Sequence, residues 1–355
     1  MNIDNLKLYK IKRLDKYKKY TRFFNCIYES YFDLLETLPK NVKLEYEEDL
    51  ICSINETENL DKEADYLNKF KSYNFLFDNL NAGKINTLTY KAFLEVEQNE
   101  TIKSILRTFK PVSSYAKKIS YNRVANVSGR LVVDSGPNIL TLPKRCRSIL
   151  ESRFKRGKIL SVDFNALEPR LCLKLNNKDT EDDIYKLIND MLEYDDIDRS
   201  VIKRAIISVL YGAHYSSLKN ISTEKAKEVF NCIKELFGIN KILEISKNID
   251  SIGIRRNYFG RPIWNLEEDK DHILINNYIQ SSAVDIALTY FTDLIKEVDT
   301  KLSVPLYILH DAIIFDVSDD YYHDFVNIIK KGYNNSTLGK FPLKIEIFNH
   351  IDRGE

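Results

Sequence analysis

Ile159-Leu160-Ser161-Val162-Asp163-Phe164-Asn165-Ala166-Leu167-Glu168-Pro169-Arg170 and, later in the chain, Tyr307-Ile308-Leu309-His310-Asp311-Ala312-Ile313-Ile314-Phe315 are the two stretches that decide the reading. In each, an aspartate ends or interrupts a β-branched apolar run, and such a run reads as a buried strand. A buried carboxylate is costly unless it is paired or holds a metal. Two of them on neighbouring strands make a carboxylate cradle for a pair of Mg²⁺ ions, the arrangement used in phosphoryl and nucleotidyl transfer. Either aspartate alone reads equally well as an ordinary turn or strand-end residue, so the sequence between them has to decide.

That sequence carries a helix with a second pattern. In Asp198-Arg199-Ser200-Val201-Ile202-Lys203-Arg204-Ala205-Ile206-Ile207-Ser208-Val209-Leu210-Tyr211-Gly212, the residues Arg199, Lys203, Ile207 and Tyr211 recur at every fourth position. Four residues advance only about 40° around a helix, so the four side chains form one oblique stripe. Two cations, an apolar residue and an aromatic follow the parts of a nucleoside triphosphate: phosphates, sugar, base. An amphipathic helix with a solvated basic end and a Tyr-Gly stop has the same pattern.

Taken together, these segments resemble the family A DNA polymerases, the bacterial DNA polymerase I type. Val162 to Arg170 is similar to that family's motif A, residues 199 to 212 to its motif B, and His310-Asp311-Ala312 to its motif C, normally His-Asp-Glu. Ser128-Gly129-Arg130-Leu131 with Pro137-Asn138-Ile139-Leu140-Thr141-Leu142-Pro143 resembles the Thr-Gly-Arg-Leu segment and its trailing Pro-Asn-Leu. Asn276-Asn277-Tyr278-Ile279-Gln280-Ser281-Ser282-Ala283-Val284-Asp285-Ile286 resembles the Asn-x-x-x-Gln-Gly-Thr-Ala-Ala-Asp-Ile helix. Phe259-Gly260-Arg261 and Phe341-Pro342-Leu343-Lys344-Ile345-Glu346-Ile347 match a turn and the closing strand. The segments run in the family's order and span roughly residues 90 to 355.

The resemblance implies an α+β fold of right-hand polymerase architecture, with an antiparallel-sheet palm, helical fingers and a helical thumb. The expected division is a thumb-like helical region at 1–110, palm at 111–185 and 276–355, and fingers at 186–275. It implies a template-directed DNA polymerase that extends a primer with dNTPs by two-metal nucleotidyl transfer. Asp163, Asp311 and the Phe164 backbone carbonyl would hold two Mg²⁺ ions, and Lys203 and Arg199 would meet the phosphates. Ile207, Tyr211 and Glu168 would border the incoming nucleotide, with Tyr211 at the templating position and Glu168 against C2′. Arg130, Asn276, Gln280 and His310 would contact the primer-template DNA. The chain departs from the family at Ala312 for the motif C Glu, at Ile207 for an aromatic, at His272 for a common Arg, and at Pro169. Because Pro169 is tolerated only in a first turn, the helix after Asp163 must start near it. Two alternatives stay open: a related single-subunit polymerase that makes RNA or primers, for which Arg199 to Arg204 and Ile207 speak, and a non-catalytic DNA-binding replication protein.

Composition bounds the rest. The chain has 355 residues, 44% hydrophobic and 30% charged, enough for one large or a few smaller globular units. Five scattered cysteines without a Cys-x-x-Cys point to neither a disulfide framework nor a zinc site. No run of apolar residues is long enough to span a membrane, and the start shows no signal-peptide pattern, so a cytoplasmic location is expected. A net charge of +1 means that any nucleic acid is bound through local patches. One candidate is the basic run from Lys7 to Arg22, which reads either as a helix following a duplex backbone or as a solvated face. The acidic stretches Glu45 to Asp49 and Asp179 to Asp198 are expected to face solvent. Apolar residues at helical spacing predict helices over Phe23 to Leu38 and Leu88 to Leu106. About 110 residues are too few for a thumb and a nuclease domain together, so no proofreading is expected.

Overall fold

The Asp163 stretch forms the strand β1 (Gly157–Phe164) in the interior of a four-stranded antiparallel sheet. Its partners are β2 (Ser303–Leu309), β3 (Ala312–Ser318) and β4 (Leu343–Ile347), in the order β4-β1-β3-β2. This computed structural model describes residues 8–20, 37–62, 64–178, 183–192, 197–218, 221–264 and 270–349. Ile159, Leu160, Val162, Ile313, Ile314 and Phe315 are all buried. β-Branched and aromatic side chains suit a pleated surface covered on both faces, which is why both runs are continuous rather than alternating. Pro305, which has no N–H to give a ladder, is confined to the edge strand β2 beside a bulge.

Register places the two aspartates together. Asp163 is paired with Ala312 on β3 and with Lys344 on β4. Leu309 pairs with Ala312, leaving His310 and Asp311 as a two-residue turn. His310 takes φ 57, the left-handed conformation that such tight hairpins need. Asp311 therefore lies in the turn and not within a strand, a correction to the expectation of two strand-borne aspartates.

Among the described residues the helices are, in chain order, α1 (Lys40–Asp61), α2 (Tyr66–Ser72), α3 (Asn74–Asn79), α4 (Thr87–Val96), α5 (Glu100–Arg107), α6 (Leu167–Leu175), α7 (Ile184–Leu192), α8 (Arg199–Leu210), α9 (Thr223–Phe237), α10 (Ile239–Lys247), α11 (Asp271–Glu297) and α12 (Tyr322–Lys330). Pro169 falls in the first turn of α6, as its fixed φ requires. The long α11 packs Phe291 and Tyr290 on the Phe164 ring, and Phe325 of α12 packs on Phe315 of β3. Small residues at Ser281, Ser282 and Ala283 let neighbours approach α11 closely.

A buried polar network then ties distant segments to α11. Asp285, with no exposed surface, accepts hydrogen bonds from Tyr66 Oη at 2.5 Å, Tyr73 Oη at 3.3 Å and Asn257 Nδ2 at 2.7 Å. Arg261, 4.0 Å from Asp285, donates to the Arg123 carbonyl at 3.0 Å and to Tyr66 Oη at 3.3 Å. Gly129 (φ 73) lies on that guanidinium, and a Cβ there would come within 2.4 Å of it. The segment carrying Arg130 is thus seated on the network.

Two local expectations change. The segment Leu88 to Leu106 is two helices, α4 and α5, because Asn99 accepts from the N–H groups of Thr101 and Ile102 and starts a second helix. Glu45 and Asp49 do not simply face solvent, since Lys16 reaches both, at 2.6 and 2.7 Å, and Arg13 lies 3.7 Å from Asp49. Part of the basic run is thereby neutralised by α1. The helix expected over Phe23 to Leu38 falls largely outside the described residues.

Candidate active site

A cavity of about 310 Å³ opens above the β2–β3 turn, and its walls come from segments far apart in sequence. Asp311 and His310 reach it from the turn, Glu168 and Pro169 from α6, Lys203 and Ile207 from α8, Gln280 from α11, and Arg130 from the loop on Gly129. Tyr211, just past the end of α8, closes one side. Of the stripe Arg199, Lys203, Ile207 and Tyr211, the last three line the cavity. Ile207 is 48% exposed and Tyr211 39%, large apolar surface that a helix facing its own core would bury.

Hydrogen bonds link these walls. Gln280 Nε2 donates to Tyr211 Oη at 2.6 Å and to Asn276 Oδ1 at 2.5 Å, one turn away on α11. Arg130 Nη2 donates to Glu168 Oε1 at 2.7 Å. The end of α8 is therefore held to α11, and Glu168 is aimed across the cavity by Arg130. His310 is shifted toward its neutral form by burial and by the nearby Arg130.

Asp163 lies beside this cavity, and its carboxylate is paired with Lys344 Nζ at 3.0 Å. The Phe164 N–H donates to the Asp311 carbonyl at 3.3 Å, which fastens the turn to the end of β1. Burial and then the neighbouring Asp311 push the Asp163 carboxyl up to about 6, against the pull of Lys344. Asp311 is also raised, by burial first. Two adjacent carboxylates that resist ionisation call for a cation. Hard oxygen donors suit Mg²⁺, which is ordinarily held by one or two carboxylates together with substrate phosphates and water. The pair fits that role, and among the described residues no group of three or more His, Cys, Asp or Glu offers an all-protein cage.

Four predicted residues stand apart from the cavity walls: Asp163 beside it, Asn276 behind Gln280, and Arg199 and Phe164. Arg199 is held by Asp183 at 2.8 Å and lies 4.2 Å over the Tyr185 ring. The Phe164 side chain points into the core among Tyr290, Phe291, Tyr333 and Phe341, which leaves only its backbone for a ligand. Sequence reasoning missed Lys344, Asp183 and Tyr185. Lys344 was inside the quoted closing strand, and only the cross-strand register sets it opposite Asp163. Asp183 lay in an acidic stretch assigned to solvent, and Tyr185 follows it by two residues to line the cavity.

Residues 79–351 match the sequence model of DNA polymerase family A. The chain belongs to that family. Among solved structures it resembles the polymerase domain of Pol1 from M. smegmatis in complex with DNA primer-template and dNTP, at 18% identity and a TM-score of 0.58. The match covers 69% of this chain and 50% of that one, so the chain spans about half the length of that relative. At this identity the likeness shows a family A polymerase fold and nothing finer. Among the described residues, no helix is long and apolar enough to cross a membrane.

Proposed function

We propose that this chain is a DNA-directed DNA polymerase, extending a primer on a DNA template with dNTPs. The observation that carries the reading is the convergence of Asp311, Glu168, Arg130, Lys203, Ile207, Tyr211 and Gln280 on one cavity next to the Asp163–Asp311 pair. The sheet strands, drawn from 157–164 and 303–347, support a palm built from 111–185 and 276–355. The helices of 186–275 would be the fingers, and residues 1–110 the thumb-like region.

In this reading Asp163, Asp311 and the Phe164 carbonyl would hold two Mg²⁺ ions, which when bound would supply acidification of the primer hydroxyl and positive charge for the leaving pyrophosphate. Lys203 sets a positive charge where the phosphates gain negative charge. Arg199 does the same once it leaves Asp183. Ile207 and Tyr211 offer apolar and aromatic surface to sugar and base. Glu168, braced by Arg130, fills the space beside C2′ of the sugar. Asn276, Gln280 and Arg130 present hydrogen-bonding groups to the minor groove, whose shared acceptors report pair shape independently of sequence, and His310 helps position the primer end. No proofreading step is assigned to these residues. A mismatched primer incubated with Mg²⁺ alone is expected to stay full length.

Primer extension with Mg²⁺ and either dNTPs or rNTPs tests the proposal. Extension with dNTPs should fall by orders of magnitude in Asp163→Asn and in Asp311→Asn while duplex binding persists. Equal use of rNTPs would favour the RNA- or primer-synthesising alternative, and no extension with either would favour a non-catalytic DNA-binding protein.

A further inference from the structure

We infer that Lys344 is a built-in counter-cation of the metal site, a positioning residue that holds Asp163 when no metal is bound and moves onto Glu346 when one arrives. The inference rests on the assignment of Asp163 as a metal ligand. Lys344 lies directly across the ladder from Asp163, with Nζ 3.0 Å from Asp163 Oδ2. The same Nζ is 3.2 Å from Glu346 Oε1, two residues on along β4 and therefore on the same face of the sheet. One ammonium thus has two acceptors within reach, and only one of them belongs to the cradle.

The physical need is clear from the surroundings. Asp163 and Asp311 are brought together by the register of β1 and β3, and two adjacent carboxylates repel. An ammonium across the strand relieves that repulsion without occupying the cavity, of which Lys344 is no part. A divalent ion on Asp163 makes that ammonium redundant and repels it. Glu346 then keeps the lysine paired, so it does not have to be released unpaired into the site. The side chain of Lys344 is 48% exposed and that of Glu346 62%, so both are free to change partner.

The consequence is a competition that works on metal affinity. Lys344→Met should tighten Mn²⁺ binding to the nucleotide-free protein, measured by electron paramagnetic resonance of free Mn²⁺, by roughly twofold to fivefold, the worth of one half-exposed ion pair. Glu346→Gln should act in the opposite direction, since the lysine loses its second acceptor and stays on Asp163. The double variant separates this exchange from a general field effect: with Lys344 replaced by Met, Glu346→Gln should change Mn²⁺ affinity less than twofold, about the scatter expected of exposed pairs. Lys344→Arg should keep the parent affinity, because the cation is retained. Unchanged or weaker Mn²⁺ binding in Lys344→Met would overturn the inference, as would an equal loss from Glu346→Gln in both backgrounds. Asp163→Asn is measured alongside: if it leaves Mn²⁺ binding intact, the metal-ligand assignment fails, whereas loss of binding there with no response to Lys344→Met rejects the lysine exchange alone.

Discussion

Replacing Asp285 by Asn removes one charge from a fully buried network and leaves its shape almost unchanged. The carboxylate takes Tyr66 and Tyr73 on one oxygen and Asn257 Nδ2 on the other, with the Arg261 guanidinium 4.0 Å away. Asn257 cannot turn its amide to adapt, because its Oδ1 already accepts the N–H groups of Phe259 and Arg261, both at 2.9 Å. Set toward Asn257, the new NH₂ group faces another donor; set toward Tyr66 and Tyr73, it makes those hydroxyls give up donating here, although Tyr66 Oη already accepts from Arg261. Arg261, itself 2% exposed, is left without its counter-charge. Removing one partner of a buried ion pair costs about 3 to 5 kcal/mol, and Asp285→Asn should lie in that range. Equilibrium unfolding in urea, followed by circular dichroism, reads the loss directly. Asp293→Asn, on the exposed side of the same helix, should stay within about 0.5 kcal/mol of the parent. In the double variant Asp285→Leu with Arg261→Met, both charges leave together, and the cost should be at least about 2 kcal/mol less than the sum of the singles. A loss below about 1 kcal/mol for Asp285→Asn, or strict additivity in the double variant, would refute the account of this network as the joint between α2, α3, the Gly129 loop and α11.

Asp163→Asn should stabilise the metal-free protein in a pH-dependent way. The folded carboxyl, at about 6, lies above its unfolded value, so its contribution to stability is present below about pH 4 and lost as pH rises through 6. In the presence of a chelator, thermal melts should show the variant ahead by up to about 3 kcal/mol at pH 8 and level with the parent near pH 4, and a gap independent of pH would contradict this. Glu168→Ala should raise rNTP use relative to dNTP use in primer extension, from a parent preference of roughly a hundredfold or more for dNTPs, since the gate is built on filled space; an unchanged ratio argues against it. Gly212→Ala should cost about 1 to 3 kcal/mol, because φ there is +72 and the new Cβ would meet His272 Cβ at 2.2 Å. An unaltered melting temperature would show that the end of α8 moves freely away from α11.

What could be read from the chain followed from local rules. Continuous β-branched runs around Asp163 and Asp311 announce buried strands, the fourfold spacing from Arg199 to Tyr211 announces a helix stripe, and Pro169 sets the start of α6 within a turn. Each depends on neighbours only a few residues apart, where steric and periodic constraints act regardless of the rest of the fold. Helix ends were less legible, as the split of Leu88 to Leu106 at Asn99 shows, since a polar side chain within the apolar spacing becomes a cap only when the backbone bends there.

The cavity and its electrostatics belong to tertiary structure. Lys344 and Asp163 are far apart in sequence, and their pairing exists only because β4 lies beside β1 in one register out of several that the alternation of side chains would permit. The same holds for the hold of Asp183 on Arg199 and for the Asp285 network, where partners come from residues 66, 73, 257 and 261. The sequence by itself determined which elements form and which chemical groups they carry, because propensity and periodicity are short-range. Which of those groups meet, how deeply they are buried and how far their charges are shifted was decided only by the packing of the chain, because Coulomb and desolvation energies depend on distances across the fold and not along the chain.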